Sequence, residues 1–234
     1  MDYYRKTAVI VGVLYIVGTV AGVVGGILLW PVLDAQDYLV EFSAKENEVR
    51  LGALFTLIMA VAVAGIAINI YPILRKCNES LALWCVGARI TESVIFVGSA
   101  FSIVMLLTLS QDFVEAGSPS ASYYQTLGDS YLAAGDWLGV LADIVAFGLY
   151  TLFFYYLLYR SRLVPRFLSV WGFAGGALVV ARGVVVFLGA DASELLYLPI
   201  AVNEMVLAGW LIIKGFDKSA TAALESVETE TSST

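Results

Sequence analysis

Six long apolar runs, separated by short polar segments, dominate the pattern of hydrophobic and polar positions along the chain. Each run has about 20 residues or more, the length that a helix needs to cross a hydrocarbon core of about 30 Å. Only a helix satisfies its own backbone hydrogen bonds in lipid, so every run is predicted to be helical. The predicted spans are residues 7–30, 51–74, 81–109, 132–159, 167–188 and 195–213.

The composition supports the same class. Of the 234 residues, 60% are hydrophobic and only 14% are charged, and the mean hydropathy is +0.85. A water-soluble domain of this length needs a charged and mixed surface, which this chain cannot supply. The sequence therefore predicts an all-α integral membrane bundle of six transmembrane helices over residues 1–216. The remainder, residues 217–234, is polar and acidic and is predicted to be a disordered tail.

The placement of basic residues predicts the orientation. Nine of them fall on one side of the predicted membrane: Arg5, Lys6, Arg75, Lys76, Arg160, Arg162, Arg166, Lys214 and Lys218. The opposite loops carry only Lys45 and Arg50. Because cytoplasmic loops are enriched in Lys and Arg, we expect a multi-pass protein of the cell membrane with both termini in the cytoplasm.

Five ionisable residues lie in the middle of the apolar runs, on four different predicted helices. They are Arg89, Glu92, Asp143, Arg182 and Glu204. From the rise per residue, their depths below the outer surface are about 10 to 18 Å, so they share one level of the bilayer. At about 2.5 to 3.5 kcal/mol for each central charge, all five left unpaired would cost about 12 to 18 kcal/mol. They must therefore be paired or hydrated.

The formal charges of this cluster do not cancel. Two arginines face three carboxylates, and Asp136, nearer the outer surface, increases the imbalance. Either one carboxylate is protonated, or a cation or cationic ligand completes the set. A stripe at helical spacing, from Asp136 through Gly139, Asp143 and Phe147 to Tyr150, is predicted to face inward.

Two interpretations of the cluster remain open. In one, it is a binding or translocation site for a small polar or cationic ligand or for protons, with Pro199 kinking the sixth helix above Glu204. In the other, Arg89 with Glu92, and Arg182 with Asp143 or Glu204, are ion pairs that only fix helix packing in a membrane scaffold or interaction subunit. A cavity that reaches Glu92 and Glu204 favours binding, whereas direct dry pairing favours structure.

Three segments of the chain resemble an uncharacterised prokaryotic membrane family, the domain of unknown function DUF4386. They are RKTAVIVGVLYIVGTVAG from Arg5, IYPILRKCNESLALWCVGARITES from Ile70 and LPIAVNEMVLAGWLIIKGF from Leu198. The family's R-x-x-E motif maps onto Arg89 and Glu92, and its N/Q-E motif maps onto Asn203 and Glu204. The resemblance covers residues 5–216 and implies a multi-pass membrane protein without an assigned activity. It adds Asn203 to the candidate site residues.

Enzymatic and partner functions are constrained by what the chain lacks. It contains no histidine, which removes the usual zinc sites and His-dependent nucleophiles, so neither catalytic residues, nor a metal, nor a cofactor is predicted. An intramembrane enzyme that uses carboxylates alone is a third, less favoured interpretation. The net charge of −7 argues against nucleic-acid binding. Besides the lipid bilayer, a second copy of the chain is a candidate partner through Gly18, Gly22 and Gly26, although packing of these glycines within the bundle is the favoured explanation.

Overall fold

The computed structural model describes residues 2–119 and 123–231, and these residues are helical almost throughout. No β-strand occurs in this part of the chain. Nine α-helices, one π-helical segment (Ala142–Phe147) and one 3-10 turn (Glu194–Tyr197) follow one another within the described ranges. The α-helices are α1 (Tyr3–Leu33), α2 (Tyr38–Ala44), α3 (Glu46–Leu74), α4 (Glu79–Glu115), α5 (Tyr123–Leu141), α6 (Gly148–Ser161), α7 (Arg166–Phe187), α8 (Leu198–Ile213) and α9 (Lys218–Thr231).

Six helical stretches are long and apolar enough to cross a membrane, which confirms the predicted all-α, six-span fold. They are Tyr3–Leu33, Glu46–Leu74, Glu79–Glu115, Tyr123–Ser161, Arg166–Phe187 and Glu194–Ile213. Most of them extend beyond the apolar runs because polar residues continue the helix at its ends. The third span, for example, begins at Glu79 and ends at Glu115.

The described residues form two compact units. The first unit contains residues 2–17, 62–92 and 140–231. The second contains residues 18–61, 93–119 and 123–139. All five ionisable residues from the middle of the spans belong to the first unit, whereas Asp136 belongs to the second.

The first unit has an aromatic core that α7 approaches closely. The Tyr150 and Phe154 rings stack with their centroids 4.9 Å apart, and Tyr155 is also fully buried. On α7, a Cβ at Gly172 would overlap the Tyr155 ring, and one at Gly176 would overlap Thr151. These two glycines therefore let α7 lie directly against α6, as small residues at helix interfaces do.

The second unit has its own core around the short helix α2, which the sequence did not predict. Leu39 and Phe42 of α2 are buried, and the Ser110 hydroxyl donates to the Leu39 carbonyl. In the same unit, a Cβ at Gly22 would lie 2.9 Å from the Met59 sulfur. Gly22 thus packs against α3 within one chain, and an association of two copies through Gly18, Gly22 and Gly26 stays a prediction.

The chain after the sixth span differs from the predicted disordered tail, because the described part forms α9. Asp217 caps this helix by accepting hydrogen bonds from the Ser219 hydroxyl and from the backbone N–H groups of Ser219 and Ala220. The Ser219 hydroxyl and these N–H groups lower the pKa of Asp217, since they favour its ionised form. Ala220 is buried and Leu224 packs against the core of the first unit. Composition alone did not reveal this cap and apolar stripe.

Candidate functional site

Arg89 is the centre of the first charge cluster, and it is buried to 2% exposure. Glu92 lies three residues further along α4, and this spacing places both side chains on one helix face. The Arg89 Nη1 atom is 3.1 Å from Oε1 and 2.9 Å from Oε2 of Glu92. The predicted pairing of Arg89 with Glu92 is therefore present as a direct contact.

Glu204 of α8 contacts the same guanidinium group. The Arg89 Nη2 atom is 3.3 Å from the Glu204 Oε1 atom. The Glu204 side chain is 14% exposed, compared with 4% for the Glu92 side chain. One guanidinium thus lies between two carboxyl groups, and its charge can balance only one of them if both are ionised.

Aromatic rings complete the surroundings of Arg89. Its Cζ atom lies 3.7 Å from the centroid of the Tyr150 ring and 5.5 Å from that of Phe147. The face of an aromatic ring attracts a cation, so both rings stabilise the guanidinium away from water. The Tyr150 hydroxyl in turn shares a 2.8 Å hydrogen bond with the Tyr15 hydroxyl. The Arg89 Nε atom is buried, and no hydrogen-bond partner for it occurs among the residues that the structure describes.

Arg182 of α7 organises a second cluster in the same unit. Its Nη1 atom is 2.9 Å from Asp143 Oδ2 and 3.1 Å from the Tyr197 hydroxyl. Its Nη2 atom contacts Glu194, whose side chain is 75% exposed. The Tyr197 hydroxyl also donates to Asp143 Oδ2, and the Tyr197 ring lies 4.8 Å from the Arg182 Cζ atom. The Asp143 carboxyl group is thus held by a cation and a hydroxyl donor together.

Asp143 lies in the π-helical segment, which the sequence analysis missed. A π turn contains one more residue than an α turn, and such turns often occur at functional sites. The backbone N–H of Gly148 donates to the Asp143 carbonyl at the end of this segment. A Cβ at Gly148 would overlap both this carbonyl and the Val180 side chain. Glycine is therefore the residue that permits this turn against α7.

The predicted inward-facing stripe is correct only in part. Asp143, Phe147 and Tyr150 do face the interior of the first unit, but Asp136 is exposed and belongs to the second unit. Helical spacing alone extends the stripe back to Asp136, although the residues of this span before Val140 no longer belong to the unit that contains the charge clusters. Asp136 is not part of either cluster.

Two further expectations can be compared with the structure. Of the two expected partners of Arg182, Asp143 is the one in contact, together with Glu194, whereas Glu204 pairs with Arg89. Pro199 stands in the first turn of α8, after the 3-10 turn, and so begins the helix rather than kinking it. Proline is tolerated there because the first N–H groups of a helix have no intrahelical acceptor.

Asn203 is fully buried but takes no part in the ion pairs. Its side-chain Nδ2 atom donates to the Leu168 carbonyl at 3.0 Å and thereby joins α8 to α7. Within the described ranges its Oδ1 atom has no hydrogen-bond partner. Asn203 supports the position of its neighbour Glu204 from outside the cluster.

The sequence analysis did not name Glu194, Tyr197 or Tyr15 as candidate residues. Glu194 and Tyr197 lie at the start of the sixth apolar run, and polar residues are ordinary at the ends of such runs. Tyr15 sits in an apolar helix without a charged neighbour in sequence. In residues 2–119 and 123–231, no group of three or more Cys, Asp or Glu side chains has the arrangement of a metal site.

The six apolar helices and the buried ion pairs define the chain as a multi-pass integral membrane protein with a charged interior. A comparison with protein families is more specific. The model of the domain of unknown function DUF4386 matches residues 10–215, and the chain belongs to this family. No curated protein and no solved structure matches the chain.

Proposed function

We propose that the cluster of Arg89, Glu92 and Glu204 is a proton-binding site, at which a small cation can replace the proton, and that the protein translocates this proton or cation. Three groups carry the proposal: one guanidinium and two carboxyl groups that both contact it. With both carboxylates ionised the cluster would have a net charge of −1. A buried charge without a partner is costly, and a bound proton or cation removes that cost.

Glu204 is the residue that we assign to proton exchange. Glu92 accepts two hydrogen bonds from Arg89, whereas Glu204 accepts one longer hydrogen bond. Glu204 also has the larger exposed fraction of the two side chains. Protonation weakens the hydrogen bonds between a carboxyl group and Arg89, and the less tightly held carboxyl group loses less hydrogen-bond energy in this way.

The direct contacts favour a second candidate function, in which the clusters only fix the packing of helices. The Arg89 nitrogen atoms lie 2.9 to 3.3 Å from the carboxyl oxygens of Glu92 and Glu204, which is within hydrogen-bond range, so no water is needed between them. In that case Glu204 would serve as an acceptor for Arg89, and Gln in its place would retain an acceptor. The protein would then carry no ion across the membrane.

Proton translocation can be measured in vesicles that contain the purified protein and an enclosed pH-sensitive dye. After an acid pulse outside, we expect faster internal acidification with the wild-type protein than with Glu204→Gln. Glu194→Gln is the matched control, because that exposed carboxylate contacts Arg182 rather than Arg89. The packing function would be the explanation if vesicles with the wild-type protein acidify no faster than protein-free vesicles. The same must hold with and without added Na⁺ or K⁺.

We infer further that the protein lies in the cell membrane with both its termini in the cytoplasm. This inference rests on the nine basic residues on one side of the spans against two on the other. In that orientation the tail helix α9 lies on the cytoplasmic side. A small cation or a proton from the outside would meet the acidic outer loops first, and these loops attract positive charge.

A further inference from the structure

A polar pocket lies at the ends of three spans in the first unit, separate from the charge clusters. Its volume is about 730 Å³, within the range of roughly 300 to 1,000 Å³ that is typical of small-molecule sites. It is lined where α6 ends, where α7 begins and where α8 ends. A pocket at helix ends lies at the level of lipid headgroups rather than of acyl chains.

Four cationic side chains line this pocket: Arg162, Arg166, Lys214 and Lys218. Among the residues that the structure describes, none of the four forms an ion pair. The carboxylate on the pocket wall is Asp217, and its Oδ1 atom is engaged in capping α9. Four cations against this one carboxylate leave the described lining of the pocket with an excess of positive charge.

The local backbone also favours an anion. The helix α7 begins at Arg166 after Pro165, whose side chain cannot cap the first N–H groups; of these groups, that of Leu168 donates to the Pro165 carbonyl. These groups and the helix dipole attract negative charge, which adds to the four side chains. At the end of α8, Arg5 covers the terminal carbonyls by donating to Leu211 and Ile212. The carbonyl oxygens that would repel an anion therefore already accept hydrogen bonds from Arg5.

Gly215 makes this arrangement possible. Its φ of +77° lies in the left-handed region, and a Cβ there would be 3.2 Å from the Arg5 Nη1 atom. The chain can therefore turn directly after Lys214 while Arg5 stays on the α8 carbonyls. The buried Phe216 follows as part of the pocket wall.

The pocket has apolar walls beside its charges. Trp210, Leu163 and Val164 line it together with Phe216, and tryptophan is enriched where one end of a site is apolar and the other is wet. We propose that the pocket binds a phosphate-bearing anion, namely the phosphodiester headgroup of an anionic lipid or a free phosphate ester. Basic pockets between membrane helices bind such headgroups through charge-assisted hydrogen bonds.

Equilibrium binding to the purified full-length protein in a zwitterionic detergent tests the proposal. The probes are short-chain phosphatidylglycerol, short-chain phosphatidylcholine, glycerol phosphate and inorganic phosphate. We expect saturable binding of phosphatidylglycerol that weakens as salt is added, and no saturable binding of phosphatidylcholine. If glycerol phosphate or inorganic phosphate binds as tightly as the lipid, the ligand is a free phosphate rather than a headgroup.

A pair of charge-matched variants locates the site. Arg166→Gln with Lys214→Gln should weaken phosphatidylglycerol binding by about 10- to 30-fold, because two cations near the headgroup are lost. The control, Arg75→Gln with Arg160→Gln, removes two basic residues that do not line the pocket and should change binding by less than about 3-fold.

Equal losses in both pairs, or no saturable binding of any anion to the wild-type protein, would overturn the proposal. If the variant that combines Arg166→Gln with Lys214→Gln does not fold, the test rests on the wild-type protein alone. The wild-type protein must then bind phosphatidylglycerol more tightly than phosphatidylcholine at low salt, and this difference in affinity must disappear at high salt.

Discussion

At the scale of single residues, Arg89 has a role that lysine could not take over. Its planar guanidinium presents Nη1 to Glu92 and Nη2 to Glu204 while its face lies on the Tyr150 ring. An ammonium group is a compact point charge and does not stack on a ring in this way. The arrangement makes each of the two carboxyl groups depend on the same cation.

Removal of this cation is expected to destabilise the folded protein strongly. Arg89→Gln leaves two buried carboxyl groups facing each other and should lower the free energy of unfolding by about 3–5 kcal/mol. Adding Glu92→Gln and Glu204→Gln to that variant should restore much of the loss, because the uncompensated charges are then gone. Thermal unfolding and folded yield in detergent measure both effects.

The control for this variant is an exposed pair of the same kind. Arg50 lies 2.6 Å from Glu46, but its side chain is 62% exposed. Arg50→Gln should therefore cost less than about 1 kcal/mol. If Arg89→Gln is as mild as Arg50→Gln, the buried cluster does not hold the helices as described.

A double-mutant cycle checks which carboxylate belongs to Arg182. Arg182→Ala and Asp143→Asn should be coupled by about 1–3 kcal/mol, because the two side chains contact each other directly. Arg182→Ala and Glu204→Gln should be additive within about 0.5 kcal/mol, since Glu204 contacts Arg89. Coupling of Arg182 to Glu204 that exceeds its coupling to Asp143 would reverse this assignment.

At the scale of elements, the π-helical segment decides where the charges of the fourth span point. Ala142–Phe147 separates α5 from α6 within one continuous span. It directs Asp143 to Arg182 and Phe147 to Arg89. A π turn has poorer hydrogen-bond geometry than an α turn, so the contacts of Asp143 and the fit of Gly148 must maintain it.

Gly148→Ala tests whether the fit of this segment matters. The added methyl group would overlap Val180 and the Asp143 carbonyl, so we expect a loss of about 1–3 kcal/mol in the free energy of unfolding. Gly98→Ala is the control in another long helix, because beyond the local backbone of its own helix no atom of the described residues lies within 4 Å of its added Cβ. It should be neutral or stabilising by up to about 1 kcal/mol. Equal effects of the two substitutions would show that the π turn adapts without cost.

At the scale of the whole molecule, the spans could be predicted because lipid imposes a strong rule on them. An apolar run of sufficient length must become a helix there, so all six spans were recoverable from residue type alone. The inward location of Arg89, Glu92, Asp143, Arg182 and Glu204 followed from the cost of exposing charges to lipid.

The choice of partners could not be derived in this way. Depth along the membrane normal places Arg182 equally well beside Asp143 and Glu204, and only helix packing separates these alternatives. The π turn and the three hydrogen bonds that cap α9 leave no periodic signal in the sequence. Asp136 was misplaced because helical spacing alone does not show that this part of the span is exposed.

The orientation of the whole molecule is open to a direct test. Because the basic residues favour one side of every span, a fluorescent protein fused to the C-terminal end should fold in the cytoplasm. An external phosphatase reporter inserted at Gly117, in the turn after α4, should be active outside. The same two fusions with the reporters exchanged serve as controls. An inactive phosphatase at Gly117 together with an active one at the C-terminal end would invert the topology.

The central claim, that the cluster around Arg89 binds one proton, is tested most directly by infrared difference spectroscopy. Purified wild-type protein at neutral pH should show the carbonyl stretch of a protonated carboxyl group, shifted in D₂O. The band should disappear in Glu204→Gln, respond to pH or an added cation, and persist in the controls Glu194→Gln and Asp143→Asn. Absence of the band from the wild-type protein, or its persistence in both Glu204→Gln and Glu92→Gln, would contradict the account.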